Sequence, residues 1–252
     1  MKPQVYIDPR PAEYFQPFHD RVRAGRPDYV YKLVRITLTW PLLLIYRLRS
    51  ITVGNIPLEG PAIVTPNHFS FMDHFLVAAL MRREVNFMAK SQLFGVHPVL
   101  NFIYKHGGVF PVLRGKRDEE AFKTAHAVLS RGGIVLMYGE GGRSRSKKLG
   151  EPKPGLGRLA LESGVPVVPV AIHGSQDVRE YKRLRFPKVT VQYGEPISLA
   201  QVDNPTREQS QEASEQIFNR VRKMYEALDA EGRKGVLARL RRERRAGVPA
   251  TG

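Results

Sequence analysis

The sequence predicts an α/β fold: a single domain with a central mostly parallel or mixed sheet flanked by helices, preceded by an N-terminal membrane-interfacial helical segment. Two observations lead to this prediction. From residue 50 onward, short apolar runs alternate with helical segments, which is the pattern of a layered α/β structure. Hydrophobic residues also make up 42% of the 252 residues, enough for a sizeable core in one large domain.

Residues 1–49 are predicted to form the helical, membrane-associating segment. One helix is possible over 12–24, and between 27 and 49 apolar side chains recur at helical spacing, namely Tyr31, Val34, Leu38, Leu42 and Ile45. Trp40, Tyr46 and the flanking arginines are types that settle at a lipid headgroup boundary. The most apolar stretch, 36–46, is shorter than the roughly 20 residues that span a bilayer. We therefore expect peripheral or monotopic attachment at the cytoplasmic face of the cell membrane; the alternative is a helix packed on the protein's own core.

Residues 50–230 are predicted to form the α/β domain, and residues 231–252 a basic, flexible tail. The apolar runs predict strands at 51–54, 62–65, 85–88, 108–112, 134–138, 167–172 and 189–193. The segments between and after them predict helices at 74–82, 98–106, 118–130, 155–163 and 207–226.

The composition indicates an anionic partner and excludes cysteine chemistry. Forty Lys and Arg residues face 24 Asp and Glu residues, a formal net charge of +16. Such an excess favours phosphate-bearing substrates, an acidic membrane surface or nucleic acid. Because the chain has no cysteine, it has no disulfide, no thiolate nucleophile and no Cys-ligated zinc.

The first candidate motif is the stretch from Asn67 to Asp73, which follows the predicted strand 62–65. His68 would lie at the carboxyl end of that strand, where open α/β sheets place their ligand sites. Ser70 and Asp73 resemble a capping box that would start the next helix near Ser70. A turn between His68 and Asp73 would let the carboxylate fix the imidazole tautomer, as a general base requires. The alternative is that Asp73 only caps the helix and His68 is a loop histidine.

Three further motifs follow apolar runs. Residues 108–114 end in Arg114, which could clamp a phosphate. Residues 138–146 combine glycines with Glu140 and Arg143, a composition suited to a polyol phosphate because exposed glycine amides bind anions. Residues 165–172 contain two prolines within an apolar run, which indicates a distorted or edge strand.

In this order and spacing, the four motifs resemble those of the glycerophosphate acyltransferase superfamily, and more narrowly those of the 1-acyl-glycerol-3-phosphate (lysophosphatidic acid) acyltransferases. The resemblance covers about residues 51–193 and includes two connecting stretches, 87–94 and 153–155. Two departures stand out. The family often has Phe-Pro where this chain has Tyr138-Gly139, and commonly Thr at the position of Gly142.

The resemblance implies direct transfer of a fatty acyl group from an acyl thioester to the free hydroxyl of 1-acyl-glycerol 3-phosphate, giving phosphatidic acid. His68 would be the general base and Asp73 would orient it. The substrate-binding residues would be Lys90, Arg114, Glu140, Gly141, Gly142, Arg143 and Ser144. The partners would be a lysophospholipid acceptor, an acyl-CoA or acyl carrier protein donor, and an anionic membrane surface. No cofactor or metal is implied; adjacent Asp and His side chains rarely converge, which disfavours His68, Asp73 and His74 as metal ligands.

Three alternatives stay open. The acceptor could be glycerol 3-phosphate or another lysolipid. A serine enzyme with a covalent intermediate is a second possibility, since residues 142–146 come close to a nucleophile elbow; however, Ser146 replaces the second glycine and no helix is predicted after it. A basic nucleic-acid-binding protein is the third, although no binding motif or stacking platform is recognisable.

Overall fold

The computed structural model describes residues 8–25, 27–114, 118–144, 146, 148–178 and 186–246. Its centre is a seven-stranded mixed sheet. In chain order the strands are β1 Arg49–Ile51, β2 Ala62–Pro66, β3 Asn86–Lys90, β4 Val109–Val112, β5 Ile134–Leu136, β6 Val167–His173 and β7 Thr190–Tyr193. The α-helices of the described residues are α1 Gln16–Ala24, α2 Tyr29–Ile45, α3 Asp73–Ala78, α4 Pro98–His106, α5 Glu119–Ser130, α6 Pro154–Ser163 and α7 Arg207–Arg245.

The sheet has the order β1-β7-β6-β2-β5-β3-β4. Strands β6, β2, β5, β3 and β4 run parallel to one another, whereas β7 is antiparallel to β6 and parallel to β1. The carboxyl ends of β2, β5, β3 and β4 therefore meet along one edge, where α/β sheets place their ligand sites. The predicted α/β class with a mixed central sheet is confirmed, and each predicted strand overlaps an observed one.

Alternate residues of the central strands fill two hydrophobic clusters on opposite faces of the sheet, as the two-residue repeat of a strand requires. On β2, Val64 packs in the cluster that includes α2 and α3 residues, whereas Ile63 packs in the cluster that includes residues of α1, α5 and α6. The sheet is thus covered by helices on both faces, which explains the almost continuous apolar runs of its strands.

Local capping fixes several helix starts. The Asp28 side chain accepts a hydrogen bond from the Val30 N–H at the start of α2, and Thr206 and Gln209 form a capping box at the start of α7. The predicted strand at 51–54 ends early because Thr52 has a left-handed conformation (φ 54°), and a 3₁₀ turn follows at Val53–Asn55.

The expectation of a flexible tail from residue 231 is wrong for the part that the structure describes. Helix α7 continues to Arg245 after a kink at Gly232 (φ 63°), and Val236 and Leu240 are buried on its second half. Residues 247–252 lie outside the described residues, as do residues 1–7 of the N-terminal segment. Within the described ranges, none of the helices combines the length and apolar character needed to cross a membrane.

Candidate active site

His68 and Asp73 form a buried pair in the loop between β2 and α3. His68 Nδ1 lies 2.9 Å from Asp73 Oδ2, and the same oxygen accepts the backbone N–H groups of Phe69 and Ser70 at 2.8 Å each. Asp73 is fully buried and His68 is 6% exposed. The carboxylate therefore both closes the turn and orients the imidazole, an arrangement that places the proton on Nδ1 and leaves Nε2 unprotonated.

The turn differs in detail from the expected capping box. Helix α3 begins at Asp73 rather than near Ser70, and the side chain of its N-cap residue, Met72, makes no capping hydrogen bond. Instead, Ser70 Oγ accepts from the Met72 N–H at 3.2 Å inside the loop. Because the Asp73 side chain accepts the backbone N–H groups of Phe69 and Ser70 and also pairs with His68, it is more than a helix cap.

Asn67 anchors the same loop to β6, a role that the sequence did not reveal. Its side-chain amide donates to the Ile172 carbonyl at 3.0 Å, and its Oδ1 accepts the Ile172 N–H at 2.7 Å. These two bonds tie the residue before His68 to β6.

Glu140 is buried between the two loops at the site. Its Oε1 accepts the His68 N–H at 2.7 Å and its Oε2 accepts the Gly150 N–H at 2.6 Å. Each oxygen therefore accepts one backbone amide, and Glu140 joins the His68 loop to the loop that contains Gly150. Burial raises the pKa of the Glu140 carboxyl to about 7, against the lowering effect of these two hydrogen bonds.

The glycine-rich loop after β5 meets the His68 loop directly. The Ser144 N–H donates to the His68 carbonyl at 2.8 Å, and the Ser144 hydroxyl donates to the Lys148 carbonyl. The Gly141 N–H is used by the Tyr138 carbonyl at 3.0 Å, and Gly141 has φ 64°, which favours glycine. Among the residues described, the Gly142 amide has no such acceptor, so it is the better placed of the two glycines to bind a developing oxyanion.

Three cationic side chains lie near one another after the carboxyl ends of β3, β4 and β5, and the charges of Arg114 and Arg143 act on His68. Lys90 ends β3, Arg114 follows β4, and Arg143 follows β5. Burial lowers the pKa of Lys90 and of Arg114, and the charge of Arg143 lowers both further. Within the part of the chain described, Lys90 and Arg114 make no ion pair. Positive side chains brought together in this way are suited to an anion such as phosphate.

The electrostatics of the site keep His68 neutral at rest. Burial is the largest effect and lowers the pKa of the imidazole below its ordinary value of 6.5. The Asp73 carboxylate acts in the opposite direction, while Arg143 and Arg114 lower the pKa further. A neutral imidazole with a free Nε2 is the protonation state that a general base needs.

Tyr138 and His74 complete the surroundings of His68, and neither was expected at the site. The Tyr138 ring stacks on the His68 ring with centroids 3.8 Å apart and planes 21° apart. The Tyr138 hydroxyl lies 3.0 Å from His74 Nδ1. The only sequence signal was that Tyr138 stands where the family often has Phe.

Comparison with known proteins shows which family has this arrangement. A family model described as Acyltransferase matches residues 47–173, half of the chain, and this range contains His68, Asp73, Arg114 and Glu140. The chain belongs to the acyltransferase family. This confirms the family that the sequence motifs indicated, and the geometry above is that of one of its members.

Named members of similar sequence act on glycerophosphates. A chloroplastic 1-acyl-sn-glycerol-3-phosphate acyltransferase of Brassica napus is 28% identical over 159 residues, covering 62% of this chain and 45% of the relative. One of Arabidopsis thaliana is 30% identical over 146 residues, covering 56% and 40%. A glycerol-3-phosphate acyltransferase of Ectopseudomonas mendocina is 26% identical over 225 residues, covering 69% and 27%. The chain therefore spans less than half the length of these relatives.

A solved structure shares the fold. The crystal structure of the 1-acyl-sn-glycerophosphate acyltransferase PlsC from Thermotoga maritima aligns with a TM-score of 0.58 at 24% identity, covering 86% of this chain and 89% of that one. At 24% identity the similarity shows a shared fold and nothing further. It agrees with a mixed sheet covered by helices and preceded by N-terminal helices.

Proposed function

We propose that this acyltransferase moves a fatty acyl group from an acyl thioester to the free hydroxyl of 1-acyl-glycerol 3-phosphate, giving phosphatidic acid in phospholipid biosynthesis. The observation that carries the proposal is the buried His68–Asp73 pair, 2.9 Å apart, at the same sheet edge as the cations of Lys90, Arg114 and Arg143. A base beside an anion-binding cluster fits a substrate that carries both a hydroxyl and a phosphate.

In the proposed reaction, His68 Nε2 removes the proton of the acceptor hydroxyl while the hydroxyl oxygen attacks the carbonyl carbon of the thioester. The tetrahedral oxyanion is stabilised by backbone N–H groups, of which the Gly142 amide is the candidate. The carbon–sulfur bond then breaks, and the imidazolium of His68 returns its proton to the departing thiolate. Asp73 holds the Nδ1–H and stabilises the transient cation. No step requires a metal or a cofactor beyond the acyl-CoA or acyl carrier protein thioester.

The same geometry argues against a serine nucleophile at Ser144. The Ser144 hydroxyl donates to a carbonyl of its own loop, and α6 begins only at Pro154, so no helix follows Ser144 directly as a nucleophile elbow requires. We therefore propose transfer without an acyl-enzyme. Ser144 serves as a loop residue whose N–H fixes the His68 carbonyl.

The acceptor is tested with a panel of hydroxyl compounds. We expect the purified protein, supplied with an acyl-CoA, to convert 1-acyl-glycerol 3-phosphate to phosphatidic acid with a kcat/KM at least tenfold above that for glycerol 3-phosphate or for a lysolipid without a terminal phosphate. Equal or faster turnover of glycerol 3-phosphate would assign the alternative acceptor. Repeating the panel with an acyl carrier protein thioester identifies the donor.

We further propose that the acyltransferase attaches to an anionic membrane surface, at the cytoplasmic face of the cell membrane, through one face of α2. Five large apolar side chains along this face are mostly exposed, from 60% to 74%: Tyr29, Leu33, Ile36, Trp40 and Leu44. Helix α4 packs beside α2 and adds Val99, Leu100 and Phe102, and Val96 lies in the loop before α4; each is at least 40% exposed. An apolar surface of this kind, together with the net charge of +16, suits an interface with acidic lipids.

Vesicle flotation tests the membrane surface. The double variant Leu33→Glu/Leu44→Glu should lose most binding to vesicles of phosphatidylglycerol and phosphatidylcholine, because two carboxylates would enter the bilayer interface. Leu58→Glu is the matched control, since Leu58 is 65% exposed but lies in the loop before β2. Equal flotation of the double variant and the parent would reject this surface.

A further inference from the structure

The His68 ring is held at one nitrogen and across one face. The bond from Nδ1 to Asp73 Oδ2 fixes a single atom and leaves the ring free to swing about that bond. Tyr138 removes this freedom, because its ring lies parallel to the imidazole with centroids 3.8 Å apart. Aromatic pairs usually sit with centroids 4.5–7 Å apart, so this stack is a close one. The direction of Nε2 thus depends on the plane of Tyr138.

Tyr138 is itself held by a bond on the far side of its ring. Its hydroxyl lies 3.0 Å from Nδ1 of His74, which directly follows Asp73 on α3. Burial lowers the pKa of His74 to about 4 and raises that of Tyr138, so both side chains are neutral. The hydrogen bond between them therefore joins a neutral phenol and a neutral imidazole. The contacts therefore form a closed circuit: His68 stacks on Tyr138, Tyr138 bonds to His74, and His74 follows Asp73, which pairs with His68.

His74 is in turn packed by aromatic side chains. The rings of Phe75 and Phe87 lie 6.0 Å and 6.3 Å from the His74 ring. A phenylalanine at position 138 would fill the same space, but a buried tyrosine hydroxyl needs a partner. The Tyr138–His74 bond meets that need and adds an orientation that packing alone would not give.

We propose that Tyr138 and His74 are positioning residues, which together hold the His68 imidazole in the plane where Nε2 meets the acceptor hydroxyl. This inference rests on the proposed function of His68 as the general base. The electron-rich face of Tyr138 also lies against the ring that becomes an imidazolium during transfer, and such a face attracts a cation. Both effects act on the reacting state rather than on substrate binding.

Substitutions at position 138 distinguish the effect of orienting the His68 ring from the effect of filling space in the core. Tyr138→Leu should lower kcat about 10²-fold at a KM within threefold of the parent, because a misplacement of the base by about 1 Å costs that much. Tyr138→Phe keeps the stacked ring and should recover most of the loss, remaining within about tenfold of the parent. Phe110→Leu is the control: Phe110 is fully buried in the cluster on the other face of the sheet, and this variant should be less stable at an unchanged kcat.

A double-mutant cycle tests the part of His74. If His74 acts through the Tyr138 hydroxyl, His74→Leu and Tyr138→Phe lower kcat non-additively, and the double variant is no slower than the slower single variant. Fully additive losses would reject the bond between the two side chains as the link to His68.

Proton NMR reports the orientation without turnover. The His68 Nδ1–H signal, assigned by its absence in His68→Ala, should persist in Tyr138→Phe and be lost to solvent exchange in Tyr138→Leu. A Tyr138→Leu protein that keeps both this signal and a kcat within twofold of the parent overturns the inference, as does an equal kcat loss in Phe110→Leu. A parent protein that transfers no acyl group to any acceptor would instead contradict the proposed function. The NMR comparison would still show whether Tyr138 orients the His68 ring.

Discussion

Asp73→Asn removes the negative charge of the carboxylate and keeps a side chain of nearly the same shape. Three N–H groups converge on Asp73 Oδ2, from His68 Nδ1 and from the backbones of Phe69 and Ser70. An asparagine placed with its NH₂ group toward these donors would oppose donor to donor. The amide oxygen therefore takes the Oδ2 position, and the tautomer of His68 is preserved.

The expected loss follows from the missing charge. Two unit charges about 4 Å apart interact by about 4 kcal/mol at an effective dielectric of 20. The imidazolium formed in the reaction would lose this attraction, which corresponds to a kcat about 10³-fold below that of the parent. The new NH₂ group would occupy the place of Oδ1, which is buried and has no hydrogen-bond partner among the described residues. We therefore also expect a loss of about 1–3 kcal/mol in the free energy of unfolding.

The assay follows release of the free thiol from acyl-CoA at saturating 1-acyl-glycerol 3-phosphate, with urea unfolding to confirm that the variant is folded. Glu162→Gln is the matched control, because Glu162 Oε2 and His126 Nε2 form another pair at 2.9 Å, outside the site. We expect its kcat to stay within twofold of the parent. An Asp73→Asn kcat within tenfold of the parent would refute the role given to the carboxylate.

Three other properties can be predicted. Because burial raises the pKa of Glu140 from 4.5 to about 7, the folded protein holds this proton more tightly than the unfolded chain, and the resulting stability is lost as the pH rises from 4.5 to 7. The free energy of unfolding of the parent, relative to that of Glu140→Gln, should fall by about 3 kcal/mol over this range in urea titrations, and a flat difference would contradict the burial effect. Arg114→Gln should raise the KM for the phosphate-bearing acceptor about 10- to 100-fold with little change in kcat, because a hydrogen bond from a charged group is lost. A KM within twofold of the parent would show that Arg114 does not bind the phosphate. Because burial lowers the pKa of His68, kcat/KM should keep its value down to pH 6.5 and decline only below it, whereas an acid midpoint above pH 6.5 would argue against this imidazole as the base.

The order of the strands along the chain could be predicted because each buried strand has a short apolar run bounded by turn residues. The tail was mispredicted because its arginines dominate the composition. Val236 and Leu240, four residues apart, carry the helical signal and belong to the hydrophobic cluster that contains Ile51 and Ala171. That contact joins distant parts of the chain, so charge density alone gave the wrong expectation.

The His68–Asp73 pair could be predicted because a local turn of five residues brings its members together. Glu140 was predicted at the site, but its hydrogen-bond partners were not. They are the backbone amides of His68 and Gly150, and every residue other than proline has such an amide. Tyr138 and His74 were missed for a related reason: they lie 64 residues apart and meet only once β5 and α3 are in place.

One departure from the family pattern has a packing reason. At Gly139, where the family often has proline, a Cβ atom would lie 2.9 Å from Leu156 Cδ2 and 3.3 Å from Phe218 Cδ2. A larger residue there would require the side chain of Leu156 on α6 to shift. Such a fit depends on helix positions, which a single sequence does not specify.

The most direct test of the account is acyl transfer by His68→Ala. With an acyl-CoA and 1-acyl-glycerol 3-phosphate, the parent should form phosphatidic acid. The variant, folded by circular dichroism, should be at least about 10²-fold slower because the proton of the acceptor hydroxyl has no base. A folded His68→Ala protein that forms phosphatidic acid within tenfold of the parent rate would contradict the account.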